Sequence, residues 1–262
     1  PVVVKVISEK CASNANWRER FKREARAAVQ IRHPNLIGVL GYEEFLGRQC
    51  LIMEYVAGAS LHQRIKTTPL PDATALDLLI PIVEGLREIW RVGMLHGDLK
   101  PANIMIQPDG TPKLIDLGLV RPIGRDPLVK EGDIVGTPYF MSPEAVRGDV
   151  VLGIQSDMWS LGVTLYQIIT GQVPFKGGSA VECLQSVIKD ELMAPSVVNQ
   201  NVTAAMDHLV LRLLKKDPKE RFGTPTELVS ALHAARSQVL CTSALPSRRF
   251  CSSSMSLVGG SR

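Results

Sequence analysis

The chain is short of the residues that would mark several protein classes. It has five cysteines in 262 residues (Cys11, Cys50, Cys183, Cys241 and Cys251), widely scattered, with no C-x-x-C pair and no Cys/His cluster. That excludes a zinc-finger spacing and a small disulfide framework. Apolar runs long enough to cross a bilayer are also missing; the stretch Leu76–Leu86 is interrupted by Asp77, Pro81, Glu84 and Gly85. No signal peptide is evident, so a cytoplasmic protein is expected. Acidic residues are absent from 236–262, which contains Arg236, Arg248, Arg249 and Arg262. Those four arginines account for the whole net charge of +4, leaving 26 basic and 26 acidic residues in 1–235. A balanced body carries no basic face for nucleic acid.

What remains is a chain able to bury a core, with 45% hydrophobic and 21% charged residues. Val2–Ile7 is β-branched and reads as a buried strand. Trp17, Phe21, Ala25 and Ala28 make one apolar stripe on a helix over Asn16–Arg32, stopped by His33-Pro34-Asn35. Two strands follow, Leu36–Phe45 and Gln49–Tyr55, around a turn at Gly47. Beyond Gly58 the periodicity becomes helical: Ser60–Lys66, Ala73–Val92, Ser156–Thr170, Ala180–Asp190, Thr203–Lys215 and Thr226–Gln238. A Gly-, Pro- and Asp-rich stretch separates the second and third of these, from Gly93 to Gly148. Residues 237–262 hold eight serines and are expected to be a disordered, basic tail. The reading is an α+β chain with a small sheet-rich lobe, a larger helical lobe and a cleft between them.

The loop-rich middle carries the chemistry. It contains His96-Gly97-Asp98-Leu99-Lys100-Pro101-Ala102-Asn103, then Asp116-Leu117-Gly118, then Gly136-Thr137-Pro138-Tyr139-Phe140-Met141-Ser142-Pro143-Glu144. These motifs resemble those of the eukaryotic-type protein kinase family, and the phosphoryl transfer that this resemblance implies needs neutralised phosphates, an in-line hydroxyl and a group that takes or orients the hydroxyl proton. Asp98 suits the last role, Lys100 can reach a transferred phosphate as a point charge, and the oxygens of Asn103 and Asp116 suit magnesium. Each alone would read as a solvated loop residue; their order is what points to a site.

In that order and spacing the chain resembles the eukaryotic-type protein kinase family, in its serine/threonine branch, over residues 1–236. The resemblance implies a two-lobed fold, with a partial N-lobe over 1–52, a hinge over 53–58 and a C-lobe over 59–236. It implies ATP with Mg2+ or Mn2+ as cofactors and Ser/Thr hydroxyls of proteins as acceptors. Asn103 and Asp116 would hold the metal, and Asp98 and Lys100 would act at the hydroxyl and phosphate. Val2-Val3-Val4-Lys5 matches the lysine strand, and Lys5 would pair with Glu24 on the following helix; Glu19 lies too early. Met53 would stand beside the adenine, with the Glu54 carbonyl and Val56 N–H on its edge, Val3 and Met105 on its faces and Ser60 at the ribose. Asp157 would brace the catalytic loop, Glu144 and Arg221 would form a buried ion pair, and Thr137 would contact the Asp98–Lys100 region.

Three departures are visible. Gly97 replaces the arginine of H-R-D, and Leu119–Gly136 has no Ser, Thr or Tyr, so activity without activation-segment phosphorylation is expected. Leu117 and Ser142 replace the Phe of D-F-G and the Ala of A-P-E, while Ala102 removes an acidic position that some relatives use to read basic substrates. No glycine-rich loop precedes Lys5, so a piece of a longer kinase is expected, with weakened ATP affinity. The alternative from another class is a pseudokinase acting as a scaffold or allosteric partner. A small-molecule kinase of related fold fits the activation segment less well. The pattern leaves the substrate and oligomeric state open.

Overall fold

Strands β1 (Val2–Val6), β2 (Val39–Phe45) and β3 (Arg48–Glu54) form an antiparallel sheet in the order β1-β3-β2. The computed structural model describes residues 1–6, 22, 25–116, 121–123, 138–149 and 152–244. β2 and β3 make a hairpin with Phe45 opposite Arg48. Its two turn residues, Leu46 and Gly47, both have positive φ (50° and 73°), the handedness that follows the twist of the strands. β1 runs beside β3 with Val3 opposite Met53 and Lys5 opposite Leu51. Helix α1, residues 25–30, buries Ala25 and Ala28 in the core and is followed by the buried Ile31. The expected helix over 16–32 is described at residues 22 and 25–30 only; Glu24 lies outside the described residues.

The chain leaves β3 through residues 55–58 and enters the large lobe at Gly58. There φ is 135° and a Cβ would sit 2.1 Å from the Ile106 carbonyl oxygen, so only glycine fits. β4 (Ala59–Ser60) pairs with β6 (Ile104–Ile106), which pairs with β7 (Pro112–Leu114). β5 (Met94–Leu95) pairs with β8 (Arg121–Pro122). The helices are α2 (Leu61–Arg64), α3 (Asp72–Arg91), α4 (Pro143–Arg147), α5 (Ile154–Thr170), α6 (Ala180–Lys189), α7 (Pro195–Val198), α8 (Ala204–Leu213) and α9 (Pro225–Ala244). α3 buries Ala75, Leu76, Leu79, Val83, Leu86 and Trp90, the 3–4 spacing of one helical face. α5 is buried on almost every side, from Ser156 to Ile169, because α3, α8 and the loops around it pack against all its faces. It is the axis of the large lobe.

Residues 237–244, expected from the sequence to begin a disordered tail, continue α9 to Ala244. The reason is that Leu228, Leu232, Ala235 and Val239 keep one buried stripe at spacings of four, three and four, packed on α3. The hydroxyls that suggest a tail are absorbed within the helix: Ser237 Oγ donates to the His233 carbonyl at 3.0 Å and Thr242 Oγ1 to the Gln238 carbonyl at 2.9 Å. Arg236 also reaches Asp77 of α3 at 2.5 Å. No helix among the described residues is long and apolar enough to cross a membrane.

Candidate active site

The loop between β5 and β6 takes its shape from the first turn of α5. The Asp157 carboxylate accepts the His96 N–H at 2.8 Å, the Gly97 N–H at 2.9 Å and the indole N–H of Trp90 at 2.8 Å. Asp157 itself is buried, and these three donors satisfy its two oxygens. Gly97 adopts φ 76°, the left-handed region, which turns the chain so that both neighbouring amides face one carboxylate. His96 is fully buried, and its Nδ1 accepts the Asp98 N–H at 3.3 Å. Burial pushes the imidazole below its ordinary value against the charges of Asp157 and Asp98, so the ring is neutral.

Held this way, Asp98 lies between two partners. Lys100 Nζ reaches its two carboxylate oxygens at 3.0 and 2.8 Å. Asn103 Nδ2 donates to the Asp98 carbonyl at 2.7 Å and to Oδ2 at 2.9 Å, so the amide oxygen of Asn103 faces away from Asp98. The β6–β7 hairpin brings the third oxygen-bearing residue alongside: Ile115 N–H donates to the Asn103 carbonyl at 2.8 Å, and Asp116 follows at φ 68°, a conformation most non-glycine residues avoid. From the small lobe, Lys5 Nζ reaches Asp116 Oδ1 at 2.5 Å. The structure therefore brings Lys5, Asp98, Lys100, Asn103 and Asp116 to one place, and gives Lys5 an acidic partner in Asp116.

The other expected site residues fall around this centre. Met53 is buried on β3 opposite Val3, which is exposed. Met105 on β6 lies opposite Ser60 on β4. Ser60 also caps α2: its Oγ accepts the Gln63 N–H at 3.3 Å while Gln63 Oε1 accepts the Ser60 N–H at 3.0 Å, a reciprocal capping box. Val56 is half-buried between the two lobes' sheets. Glu144 and Arg221 form a two-pronged pair at 2.8 and 2.9 Å. Thr137, Leu117 and Gly118 lie outside the described residues.

Sequence reasoning misses three partners. Trp90, the third donor to Asp157, sits on the core face of α3 and reads only as a packing residue. Ser156 donates to Glu144 Oε1 at 2.8 Å; its place beside Asp157 is the available signal. The sequence points only to the carbonyl of Glu54, yet its side chain accepts the Gly38 N–H at 2.7 Å and pairs with Lys113 Nζ at 2.5 Å. A lysine flanked by Pro112 and Leu114 in a short apolar strand is the clue.

A small antiparallel sheet hinged to a helical lobe, with a lysine from one and an Asp-Lys-Asn loop plus a further aspartate from the other, defines the two-lobed kinase-like class. The sequence pattern of the protein kinase domain matches residues 1–233, and the chain belongs to that family. It is 31% identical over 232 residues to the probable serine/threonine-protein kinase PknB of Lactococcus lactis, covering 87% of this chain and 36% of that protein. It is 34% identical over 233 residues to the serine/threonine-protein kinase PknB of Mycobacterium leprae, covering 87% and 37%. A serine/threonine-protein kinase of Corynebacterium efficiens is 34% identical over 241 residues, covering 90% and 46%. The chain thus spans between about a third and a half of these relatives' lengths.

Proposed function

We propose that the chain is the catalytic domain of an ATP-dependent protein serine/threonine kinase. The observation that carries this reading is the Asp98 carboxylate, fixed by Lys100 and Asn103 on a loop that Asp157 holds rigid, beside the Lys5–Asp116 pair. Asp98 takes or orients the proton of the acceptor hydroxyl. Lys100, already within 3 Å of Asp98, neutralises charge on the group in transfer. The donor set fits a hard cation: the carboxylate of Asp116 and the amide oxygen of Asn103 sit on adjoining backbone segments, and both are oxygen ligands. A bound Mg2+ or Mn2+ would neutralise the phosphates of ATP there. Lys5 then serves the phosphates from the small lobe, with Glu24 as its second partner. Met53, Val3, Met105, the Glu54 carbonyl and the Val56 N–H surround the adenine, and Thr137 supports the loop. The free thiols Cys50, Cys183 and Cys241 suit a reducing compartment, which supports a cytoplasmic location.

The test is radiolabelled phosphate transfer from ATP to a mixed protein substrate, with Asp98→Asn as control. The Asn variant should fold with unchanged stability and lose activity by about 10^2-fold or more. Transfer at the wild-type rate in that variant overturns the assignment of Asp98. No transfer by the wild-type chain or by an N-terminally extended one, with intact ATP binding, selects the scaffold reading instead.

A further inference from the structure

The loop over residues 33–38 precedes β2 of the small lobe but is docked on the large lobe. Leu36 bridges Leu114 in parallel. Ile37 N–H donates to the Leu114 carbonyl at 2.8 Å, Leu114 N–H to the Asn35 carbonyl at 2.8 Å, and Asn35 Nδ2 to the Pro112 carbonyl at 2.7 Å. Leu36 and His33 lie against Gly85 of α3, where a Cβ would come within 2.9 Å of Leu36 and 3.2 Å of His33 Nδ1. Besides the Lys5–Asp116 pair, the small sheet is therefore joined to the large lobe covalently through residues 55–58 and non-covalently through this loop. One carboxylate oxygen ties the two joints together: Glu54 Oε1, at the end of β3, accepts from Gly38 N–H and from Lys113 of β7. Rotation of the lobes about residues 55–58 has to stretch one of these bonds.

Beside this tie lies a cleft of about 340 Å3, at the small end of the range of about 300–1,000 Å3 found for ligand pockets. Ile31, Pro34 and Leu36 give it an apolar wall. Arg32, His33 and Lys113 line the rest, with Glu54 as the only acid among the lining residues. Arg32 is exposed and has no ionic partner among the described residues. His33 Nδ1 accepts the Asn35 N–H at 3.2 Å, which leaves Nε2 as the donor. Lys113 is held by Glu54 at 2.5 Å, so an anion in the cleft meets an ammonium already shared with a carboxylate. Three sets of donors and an excess of positive charge thus line an open cleft with one apolar side.

We propose that this cleft is an effector site for a small organic carboxylate with an apolar body, whose binding competes with Glu54 for Lys113 and so alters lobe closure. The carboxylate matches the planar fork of Arg32, and the apolar body covers the wall of Ile31, Pro34 and Leu36. The coupling to lobe closure rests on the kinase reading; the site itself does not.

Benzoate is the probe and benzamide its uncharged isostere, each titrated into the full chain while backbone amide NMR shifts are followed. Benzoate should shift the amides of residues 33–38 and Glu54 saturably at millimolar concentration, and benzamide should not. Arg32→Gln should weaken benzoate about tenfold, and Glu54→Gln should tighten it by freeing Lys113. Absence of saturable shifts, equal binding of benzamide, or unchanged affinity in Arg32→Gln overturns the site. The second readout is the affinity of a non-hydrolysable ATP analogue, which saturating benzoate should change about threefold in the wild type and leave constant in Arg32→Gln. Benzoate binding without that change overturns the coupling. Failure of the analogue to bind at all counts against the kinase reading, while the NMR titration still decides the site.

Discussion

Replacing Arg221 by alanine removes five hydrogen bonds from the interior of the large lobe. The guanidinium is fully buried and donates to Glu144 at 2.8 and 2.9 Å, and to the carbonyls of Lys215, Gln155 and Lys216 at 2.8, 2.7 and 3.4 Å. In its absence the Glu144 carboxylate keeps one side-chain donor, Ser156, and three carbonyls lose a donor. Breaking one side of such a pair costs about 3–5 kcal/mol, which for a domain of this size lowers Tm by roughly 6–20 °C. The pH dependence identifies the cause. Burial pushes the Glu144 carboxyl up, but the hydrogen bonds and charge of Arg221, with Ser156, hold it below its ordinary 4.5. A depressed carboxyl stabilises the fold above its unfolded-state value and loses that contribution as pH falls through the folded-state value. In Arg221→Ala the burial remains and the compensation goes, so the carboxyl rises and its penalty shrinks as acid protonates it. The gap between wild type and variant should be widest near neutral pH and narrow below about pH 5. Urea unfolding followed by circular dichroism across that range measures it. A loss under about 1 kcal/mol, or a gap that does not change with pH, refutes the reasoning.

Three other perturbations have defined outcomes. Asp157→Ala orphans the Trp90, His96 and Gly97 donors and should cost about 3 kcal/mol or more, with kcat falling further than the affinity for ATP because the Asp98 loop loses its brace; a stable, fully active variant would contradict this. Gly97→Ala places a Cβ at φ 76° and should destabilise by about 1 kcal/mol in chemical denaturation; an unchanged midpoint argues against a strained turn. Lys216 lies with its ammonium 3.7 Å from the Phe175 ring centre and donates to the Val187 carbonyl at 2.6 Å. Burial pushes it down to about 8 from its ordinary 10.5, against the charge of Asp190 and with that of Arg147 and Arg221. Between those two values the unfolded chain holds a proton the native one has released, so this group makes stability rise with pH. Lys216→Met should flatten that rise in denaturation curves taken between pH 7 and 10; an identical slope would show that the residue does not titrate there.

How much of the fold and site is legible in the sequence depends on whether a residue's meaning is local. Helix existence is local: helical periodicity puts α3, α5, α6 and α8 within one or two residues of their observed bounds. The Asp98 loop is legible because its motif residues, His96 to Asn103, lie within eight positions of one another. The end of α9 is hidden because serine and threonine weigh against a helix on propensity alone, and only the packing of Val239 on α3 overrides that. Glu54 and Lys113 are 59 residues apart, and nothing in the spacing of either says that β3 and β7 end side by side. Trp90 and Asp157 are 67 apart and hidden in the same way. Polar pairs that cross between lobes or helices are products of topology, whereas the motif residues are neighbours in sequence.

The first turn of α5 serves the structural interior and the site together. Gln155 offers its carbonyl to Arg221, Ser156 gives its hydroxyl to Glu144, and Asp157 gathers three N–H groups from α3 and the Asp98 loop. Successive residues on a helix point about 100° apart, so three consecutive positions serve two separate polar centres, one structural and one beside Asp98. The helix behind them is buried on nearly every side and cannot shift without repacking the lobe. A rotation of α5 large enough to weaken the Glu144–Arg221 pair would also swing Asp157 away from His96 and Gly97. The stability of the large lobe and the geometry of the Asp98 loop are therefore set by the same turn, which is why the Glu144–Arg221 pair belongs to the same constellation of residues as the site.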